Sequence, residues 1–331
     1  MSKRCLLSAL KRLAKSQALA FAMAVSTVGW AEVGYGNDAA RLATYQTGAG
    51  QTSFALSLLP QLPSAMNRHS DVVILVDTSA SQTGAFRAES LAALRGLIAG
   101  LSAEDRVKLL AVDLDSVELT SGFVAPGSES LAQAIAALEA RAPLGSTDLS
   151  GMLQTLEGHF EADGDRPRNA VYIGDGISKA SLLESAEFAG LTEALVAARI
   201  SVSSFAVGPE RNVATLAALS NRTGGNVYLA TDDVAGAELG GVGLAKTVRH
   251  AVIWPGKVSY PGAMTEVFPA TLPPLRTDRD TIVLGTLGEA GDFEISVEAS
   301  VNGQTVNLSW PVTSEASSDD FAFLPRLIDM A

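Results

Sequence analysis

Metal ligands with sulfur or imidazole are scarce in this sequence. Its 331 residues include one cysteine, Cys5, and three histidines, His69, His159 and His250. Zinc sites built on thiolates need several cysteines, so this scarcity excludes them. The histidines are too scattered along the chain to predict a shared metal site. With one cysteine the chain has no internal disulfide, and its stability must come from buried apolar surface, which a chain of this length can provide.

Positive charge is also in short supply. Lysine and arginine number 24 against 36 aspartates and glutamates, which gives a formal net charge of −12. Because nucleic-acid binding needs a concentrated basic face, we expect no nucleic-acid partner. With 47% hydrophobic and 18% charged residues, the chain should fold into a globule with a substantial core. A local electropositive site remains compatible with this overall balance.

The basic residues concentrate at the start of the chain. No acidic residue precedes Glu32, and an apolar stretch over 18–28 follows five basic positions, Lys3, Arg4, Lys11, Arg12 and Lys15. This order predicts a secretory signal peptide over 1–31 and an exported protein, whether periplasmic, cell-surface or secreted. The apolar stretch is shorter than the roughly 20 residues of a membrane span. We therefore expect no stable membrane span after cleavage, with an uncleaved anchor as the alternative.

From residue 71 onward, apolar runs typical of strands alternate with segments of helical spacing. The strand-like runs are 71–77, 106–113, 169–176, 200–208 and 226–230, and the helical segments are 85–101, 130–140, 149–160, 181–199 and 213–222. Runs such as VVILVD are apolar without alternation, as in buried parallel strands. The pattern predicts an α/β fold with a doubly wound, mostly parallel, Rossmann-like sheet. The alternating segment 116–126 predicts an antiparallel edge strand.

After about residue 247 the pattern changes to short alternating strands separated by glycine, proline and asparagine turns. This change predicts a second domain, a small antiparallel β-sandwich over 248–313, with a hairpin turn at 302–303. A strand-like stretch over 52–59, in the N-terminal segment 32–67, is expected to join it, so that the α/β domain over 68–247 is inserted. The alternative is that this stretch is a linker. Residues 314–331 are predicted to be a linker and the start of a helical region that stops mid-pattern, as in a fragment.

Five oxygen-bearing side chains, which we call the oxygen cluster, are predicted to meet at one edge of the sheet. Asp77 ends the first parallel strand in VVILVDTSASQTG, and Ser79 and Ser81 follow it in the loop. Thr147 comes from the loop LGSTDLSG, and Asp175 comes from YIGDGIS at the end of another strand. Open α/β sheets bind ligands at the carboxyl ends of their strands, so these three loops can bring the five side chains together.

The oxygen cluster resembles the metal-ion-dependent adhesion site of von Willebrand factor type A domains, the family of the integrin inserted domains. That family has Asp-x-Ser-x-Ser after the first strand, a threonine in a glycine-rich loop and an aspartate before glycine, and all of these positions are filled here. The resemblance implies a Mg²⁺ ion, with Mn²⁺ or Ca²⁺ as substitutes, bound directly by Ser79, Ser81 and Thr147. Asp77 and Asp175 are implied to act mainly through waters or hydrogen bonds. It also implies non-enzymatic adhesion, in which the ion accepts an Asp or Glu carboxylate from a partner protein.

The predicted β-domain shows a looser resemblance to bacterial secreted proteins with the layout of inter-alpha-trypsin-inhibitor heavy chains. The segment LPPLRTDRDTIVLG carries this resemblance without a diagnostic motif. Its charged residues, Arg276, Asp278, Arg279 and Asp280, are predicted to form a solvated turn rather than a site.

Three alternatives to a metal-dependent adhesion site remain open. Ser79, Ser81 and Thr147 can each cap a helix, and Asp175 can shape a turn. A haloacid dehalogenase-type phosphatase also has a strand-terminal aspartate, but it needs a second aspartate where this chain has Ser79, and Lys179 is the only nearby candidate for a phosphate clamp. The third alternative is a structural scaffold with a vestigial metal site that binds its partner through the β-domain.

Overall fold

The computed structural model describes residues 39–62, 68–162, 164–181, 183–231 and 233–331, so the predicted leader 1–31 lies outside the described residues. The strands are β1 Ala40–Gln46, β2 Thr52–Leu58, β3 Asp71–Asp77, β4 Arg106–Val112, β5 Ser116–Glu118, β6 Arg168–Gly174, β7 Ile200–Ala206, β8 Val227–Leu229, β9 Val252–Ser259, β10 Met264–Phe268, β11 Leu275–Arg276, β12 Thr281–Leu287, β13 Asp292–Val301 and β14 Gln304–Thr313. The helices are α1 Ala85–Gly100, α2 Glu129–Ala140, α3 Leu149–Thr155, α4 Ser185–Ala197, α5 Val213–Thr223, α6 Val234–Arg249 and α7 Leu324–Ile328, with 3₁₀ turns at Leu156–His159 and Asp319–Phe321.

A six-stranded sheet in the order β5-β4-β3-β6-β7-β8 forms the centre of one domain. Its strands run parallel except β5, which pairs with β4 antiparallel at the edge. Val72, Ile74 and Val76 of β3 share a core with α1 and α6, while Val73 and Leu75 share the opposite core with α3 and α5. The sheet is therefore covered on both faces, the doubly wound α/β arrangement that the sequence predicted. The carboxyl ends of its parallel strands lie along one edge.

Helix α4 is shorter than the predicted helix 181–199, because the residues before it serve the loop. The Ser178 hydroxyl accepts a hydrogen bond from the Leu149 amide at 3.1 Å, and the Ser181 hydroxyl donates to Asp148 Oδ1 at 2.5 Å. These bonds fasten the loop after β6 to the start of α3, and α4 begins only at Ser185.

Helix α6 was absent from the sequence-based prediction because it carries four glycines, which have low helix propensity. One of these glycines, Gly241, and Gly96 of α1 allow the backbones of the two helices to lie in contact. A Cβ on Gly241 would lie 2.0 Å from the Ala93 carbonyl oxygen, and one on Gly96 would lie 2.1 Å from the Glu238 carbonyl oxygen. A Cβ on Gly240 would lie 2.5 Å from the Phe205 ring, and one on Gly243 would lie 2.5 Å from the Tyr228 ring. Close packing on α1 and on the sheet, rather than flexibility, therefore accounts for these glycines.

The second domain contains two antiparallel sheets, β1-β2-β12-β10 and β11-β9-β13-β14. Strand β2 pairs with β12 over its full length, from Leu58 opposite Thr281 to Thr52 opposite Leu287. The inner faces of the two sheets share one apolar core, which includes Phe54 and Trp310. From β1 onward, the chain thus passes through the β-domain, leaves it to form the α/β domain, and returns at β9.

The boundary between the two domains is built around a buried arginine. Arg276 has no exposed surface, so the prediction that it belongs to a solvated turn is wrong. Its guanidinium donates to the carbonyl oxygens of Gly224 at 2.9 Å and Thr247 at 2.8 Å, where α5 and α6 end. It also donates twice to the carboxylate of Asp278. Burial alone raises the pKa of Asp278, but the bonds from Arg276 outweigh it and lower that pKa below its ordinary value.

The C-terminal residues pack on the outer face of the first β-sheet. The amide of Glu315 donates to the Leu42 carbonyl oxygen at 2.9 Å, which continues the sheet beyond β1. Phe321 and Leu324 then bury their side chains with Ala43 in a separate small apolar cluster. This segment therefore closes a face of the β-domain.

Gly241→Ala is expected to lower the free energy of unfolding by about 3 kcal/mol or more, because the added methyl group collides with the backbone of α1. Gly190→Ala in α4 is the matched control, since a Cβ there meets nothing within 4 Å. The control should raise stability by about 0.5–1 kcal/mol through helix propensity. Urea unfolding measures both changes, and equal effects for the two substitutions would contradict the packing of α1 on α6.

Candidate metal centre

Asp77 is the last residue of β3, and its buried carboxylate organises the loop that follows. Its Oδ1 atom accepts a hydrogen bond from the Ser79 amide at 2.8 Å, the local turn that a strand-terminal aspartate can make with its own backbone. The amide of Thr78 donates to the Val112 carbonyl oxygen at 2.8 Å, which ties the loop to the end of β4. The loop is thereby held above the carboxyl edge of the sheet.

The structure brings all five side chains of the oxygen cluster together through hydrogen bonds. The Thr147 hydroxyl donates to Asp77 Oδ2 at 2.9 Å, and the Ser81 hydroxyl donates to Asp175 Oδ2 at 2.7 Å. The hydroxyls of Ser79 and Ser81 are 2.9 Å apart. Ser81 is half-buried and the other four side chains are buried, so Ser81 marks the side of the cluster that faces solvent.

The helix-cap alternative does not describe these residues. Helix α1 follows Gly84, which has no side chain to cap it, and the serine hydroxyls bond within the cluster instead. Helix α3 is capped by Asp148, whose Oδ1 accepts from the Gly151 amide at 2.9 Å. Thr147 is thereby left free of a capping role, and its hydroxyl bonds to Asp77 instead.

The loop that carries Thr147 is fastened directly to the loop after β3. The amide of Ala80 donates to the Gly145 carbonyl oxygen at 3.1 Å, and the amide of Leu144 donates to the Thr78 carbonyl oxygen at 2.9 Å. Gly145 has φ 77°, a left-handed conformation that favours glycine. The Gly-Ser-Thr sequence therefore provides the turn that brings Thr147 to Asp77.

Tyr172 is a third donor to Asp77, and sequence reasoning missed it. Its fully buried hydroxyl donates to Asp77 Oδ2 at 2.9 Å and accepts from the Gly176 amide at 3.3 Å. Burial, together with the charges of Asp77 and Asp175, raises the pKa of Tyr172 well above its ordinary value, so it stays a donor. The available signal was a hydroxyl-bearing residue inside the otherwise apolar run AVYIG, three residues before Asp175.

Gln82, next to Ser81 in the same loop, connects the cluster with two neighbouring elements. Its side chain is fully buried, donates from Nε2 to the Val207 carbonyl oxygen at 3.1 Å, and accepts from the Ser90 hydroxyl at 3.1 Å. These bonds connect the loop after β3 with the end of β7 and with α1.

Neither Asp77 nor Asp175 forms an ion pair with any residue in the described ranges. Burial raises the pKa of Asp77, and the charge of Asp175 raises it further. Hydrogen bonds from the backbone and side chain of Ser79 and from the Thr147 hydroxyl oppose this rise. Two buried carboxylates of this kind are costly unless a cation or a network of hydrogen bonds stabilises them.

The donor set fits a hard divalent cation. Two carboxylates and three hydroxyls offer only oxygen, which Mg²⁺ and Ca²⁺ prefer and which soft metals do not select. Within the part of the chain that the structure describes, no group of three or more histidine, cysteine, aspartate or glutamate side chains is arranged to hold a metal. A metal at this edge therefore depends on the hydroxyls of Ser79, Ser81 and Thr147.

Comparisons with known proteins agree with this architecture. Residues 70–229 match the family model of the von Willebrand factor type A domain. Among solved structures, a von Willebrand factor type A protein from Catenulispora acidiphila is similar at 14% identity with a TM-score of 0.57, covering 81% of this chain and 70% of that chain. The ArnB paralog VWA2 from Sulfolobus acidocaldarius is similar at 12% identity with a TM-score of 0.50, covering 88% and 79%. At these identities the structural likeness establishes the fold alone. No curated protein matches the chain.

Tyr172→Phe is expected to lower the free energy of unfolding by about 2 kcal/mol, because it removes a donor from a buried carboxylate and leaves the Gly176 amide without its acceptor. Tyr260→Phe is the matched control, since the partly buried Tyr260 hydroxyl has no hydrogen-bond partner among the described residues. The control should change stability by no more than about 0.5 kcal/mol or increase it. Chemical denaturation compares the two, and an undiminished stability of Tyr172→Phe would contradict the bond to Asp77.

Proposed function

Since residues 70–229 form a von Willebrand factor type A domain, a family of protein-interaction modules, we propose that this chain binds a partner protein through a Mg²⁺ ion held at the oxygen cluster. Mn²⁺ and Ca²⁺ offer similar oxygen chemistry and serve as substitutes in this proposal. The partner presents an aspartate or glutamate side chain. The role is adhesion or assembly, without catalysis.

One observation carries the proposal: two buried carboxylates each accept a hydrogen bond from a hydroxyl of the oxygen cluster, and no cation from the described residues lies beside them. The bonds Thr147–Asp77, Ser79–Ser81 and Ser81–Asp175 have oxygen–oxygen distances of 2.9, 2.9 and 2.7 Å, so the five side chains line one small volume. A divalent cation relieves the repulsion between the carboxylates and replaces the bonds among the hydroxyls.

Each residue then has a distinct task. Ser79, Ser81 and Thr147 are the neutral ligands, and Asp77 and Asp175 orient them through hydrogen bonds and waters. With few anionic ligands in direct contact, a bound ion supplies an electrophilic position for a partner carboxylate. Ser81 lies on the solvent side, so a partner approaches from there.

The surroundings of the cluster also suit a protein interface. Leu144 is 69% exposed and Leu114 is 57% exposed, and both lie on loops next to the one that carries Ser79. Exposed large apolar side chains beside a polar centre are typical anchors of protein interfaces. We propose that they pack against apolar residues flanking the partner's carboxylate.

The same residues give less support to two other functions, a phosphatase and a structural scaffold. For a phosphatase, Asp77 must attack a phosphate, but its carboxylate has no exposed surface and both its oxygens accept hydrogen bonds. Ser79 stands where that mechanism needs a second aspartate. A scaffold with a vestigial metal site remains the runner-up, and the absence of metal binding would favour it.

Export remains part of the proposal on the basis of residues 1–31. Among the described residues, no helix is long and apolar enough to cross a membrane. We also propose that the β-domain follows the type A domain as in the layout of inter-alpha-trypsin-inhibitor heavy chains in bacterial secreted proteins.

Calorimetric titration of Mg²⁺, and separately of Mn²⁺, into the full-length chain tests the metal site. The parent is expected to bind one ion, and Asp77→Ala is expected to bind it about 100-fold more weakly or not at all, because the orientation of the hydroxyl ligands is lost. Asp115→Ala is the matched control: it removes an exposed carboxylate at the same edge of the sheet, outside the oxygen cluster.

Unchanged Mg²⁺ affinity in Asp77→Ala would rule out this site. If the parent alone gives no heat, the titration is repeated with a synthetic peptide that carries one aspartate, since a carboxylate completes the ion's shell. If no heat of binding is seen with the peptide either, the scaffold with a vestigial metal site is favoured.

A further inference from the structure

A second candidate site lies at the boundary between the two domains, in a cavity of about 540 Å³ that we call the seam cavity. Its walls include Arg68, Arg166, Arg168, Arg199, His250 and Trp254. Its volume is within the usual range for small-molecule sites, roughly 300–1,000 Å³. Four arginines around one cavity are unusual in a chain whose formal net charge is −12.

Both domains contribute to the seam cavity. Arg168 is the first residue of β6, and Arg199 immediately precedes β7, so both lie at the amino edge of the parallel sheet. Trp254 of β9 and the turn Asn302–Gly303 form the facing wall from the β-domain. The oxygen cluster lies at the opposite, carboxyl edge, roughly 20 Å away along a seven-residue strand.

Two of the four arginines already have a carboxylate partner. Arg68 pairs with Asp165 at 3.1 Å, and Arg166 pairs with the buried carboxylate of Asp71 at 2.9 Å. These ion pairs leave little positive charge for a ligand at either position.

Arg168 and Arg199 have only neutral acceptors among the described residues. Arg168 donates to the carbonyl oxygens of Ala198, Glu161 and Ala162 at 3.3, 2.8 and 3.0 Å. Arg199 donates to the Ser300 hydroxyl. Neither guanidinium has a carboxylate partner there, while backbone carbonyls and a hydroxyl hold both in place. The lining also includes the exposed carboxylate of Glu157, which pairs with neither of them within the described residues. The cavity therefore keeps two arginines without a carboxylate partner, of which Arg168 is held by three carbonyl oxygens.

We propose that the seam cavity binds a small molecule carrying a phosphate or carboxylate group, with Arg168 and Arg199 as the residues that hold its oxygens. The planar guanidinium matches both groups, and a recessed site strengthens such charge-assisted bonds. Trp254 offers an apolar surface to the rest of the molecule. Because the two walls belong to different domains, the ligand stabilises their contact.

Titrations of the full-length chain with inorganic phosphate and with succinate, at constant ionic strength set by sodium chloride, test the proposal. We expect saturable heat and a saturable change in tryptophan fluorescence with at least one of them. The double variant Arg168→Gln/Arg199→Gln should bind roughly 10- to 100-fold more weakly, as expected for the loss of bonds to a charged group. Phosphate binding alone would identify phosphate esters as the ligand class, and succinate binding alone would identify carboxylates.

Matched variants separate a site from a general effect of charge. Arg326→Gln removes one exposed positive charge far along the chain, in α7, and should leave the affinity unchanged. Arg199→Gln alone keeps the three carbonyl contacts of Arg168, so it tests the site if the double variant unfolds. Circular dichroism and thermal denaturation establish that each variant is folded.

Two results would overturn the proposal. One is that neither anion gives saturable binding to the parent. The other is that parent and Arg199→Gln bind the anion with equal affinity. The anion titrations are repeated with a metal chelator present, where the parent should bind the anion with unchanged affinity, so that the outcome for the metal site does not decide this one.

Discussion

The buried carboxylate of Asp77 is the contact on which the arrangement of the functional edge depends. Three donors from three parts of the chain converge on it: the Ser79 amide, the Thr147 hydroxyl and the Tyr172 hydroxyl. One carboxylate thereby fixes the loop after β3, the glycine-rich loop and the end of β6 relative to one another. An unpaired charge at this position would be costly, so the surrounding hydrogen bonds are a condition of its burial.

Much of this edge could be predicted from the sequence because its signals are local. The run VVILVD ends at Asp77, and β3 ends there in the structure. Since parallel strands align their carboxyl ends, knowing the strands was sufficient to expect Ser79, Ser81, Thr147 and Asp175 near each other. Metal binding depends on the affinity of the folded site for the ion, which a sequence pattern does not give. It therefore stays a prediction.

What could not be predicted depends on contacts between distant residues. The glycines of α6 lower helix propensity, and the reason for them appears only in the packed structure, where Gly241 meets the backbone of α1 and Gly240 meets the ring of Phe205. Tyr172 looked like one more residue of a buried strand, because its partner Asp77 is 95 positions away. Arg276 was taken for a solvated residue because charge normally indicates exposure. Its acceptors, the Gly224 and Thr247 carbonyl oxygens, are polar groups that only the packed helix ends offer.

The inserted topology decides how mechanical force is distributed through the molecule. Strand β1 and the C-terminal segment adjoin each other in the same sheet, where Leu42 bridges Ser314 and the Arg41 guanidinium pairs with Glu315 at 2.5 Å. Tension applied between Ala40 and Leu324 therefore acts first on the hydrogen bonds of the β-domain. The α/β domain enters and leaves through β2 and β9, outside that path. As long as the β-domain holds, the oxygen cluster keeps its geometry while the chain is under tension.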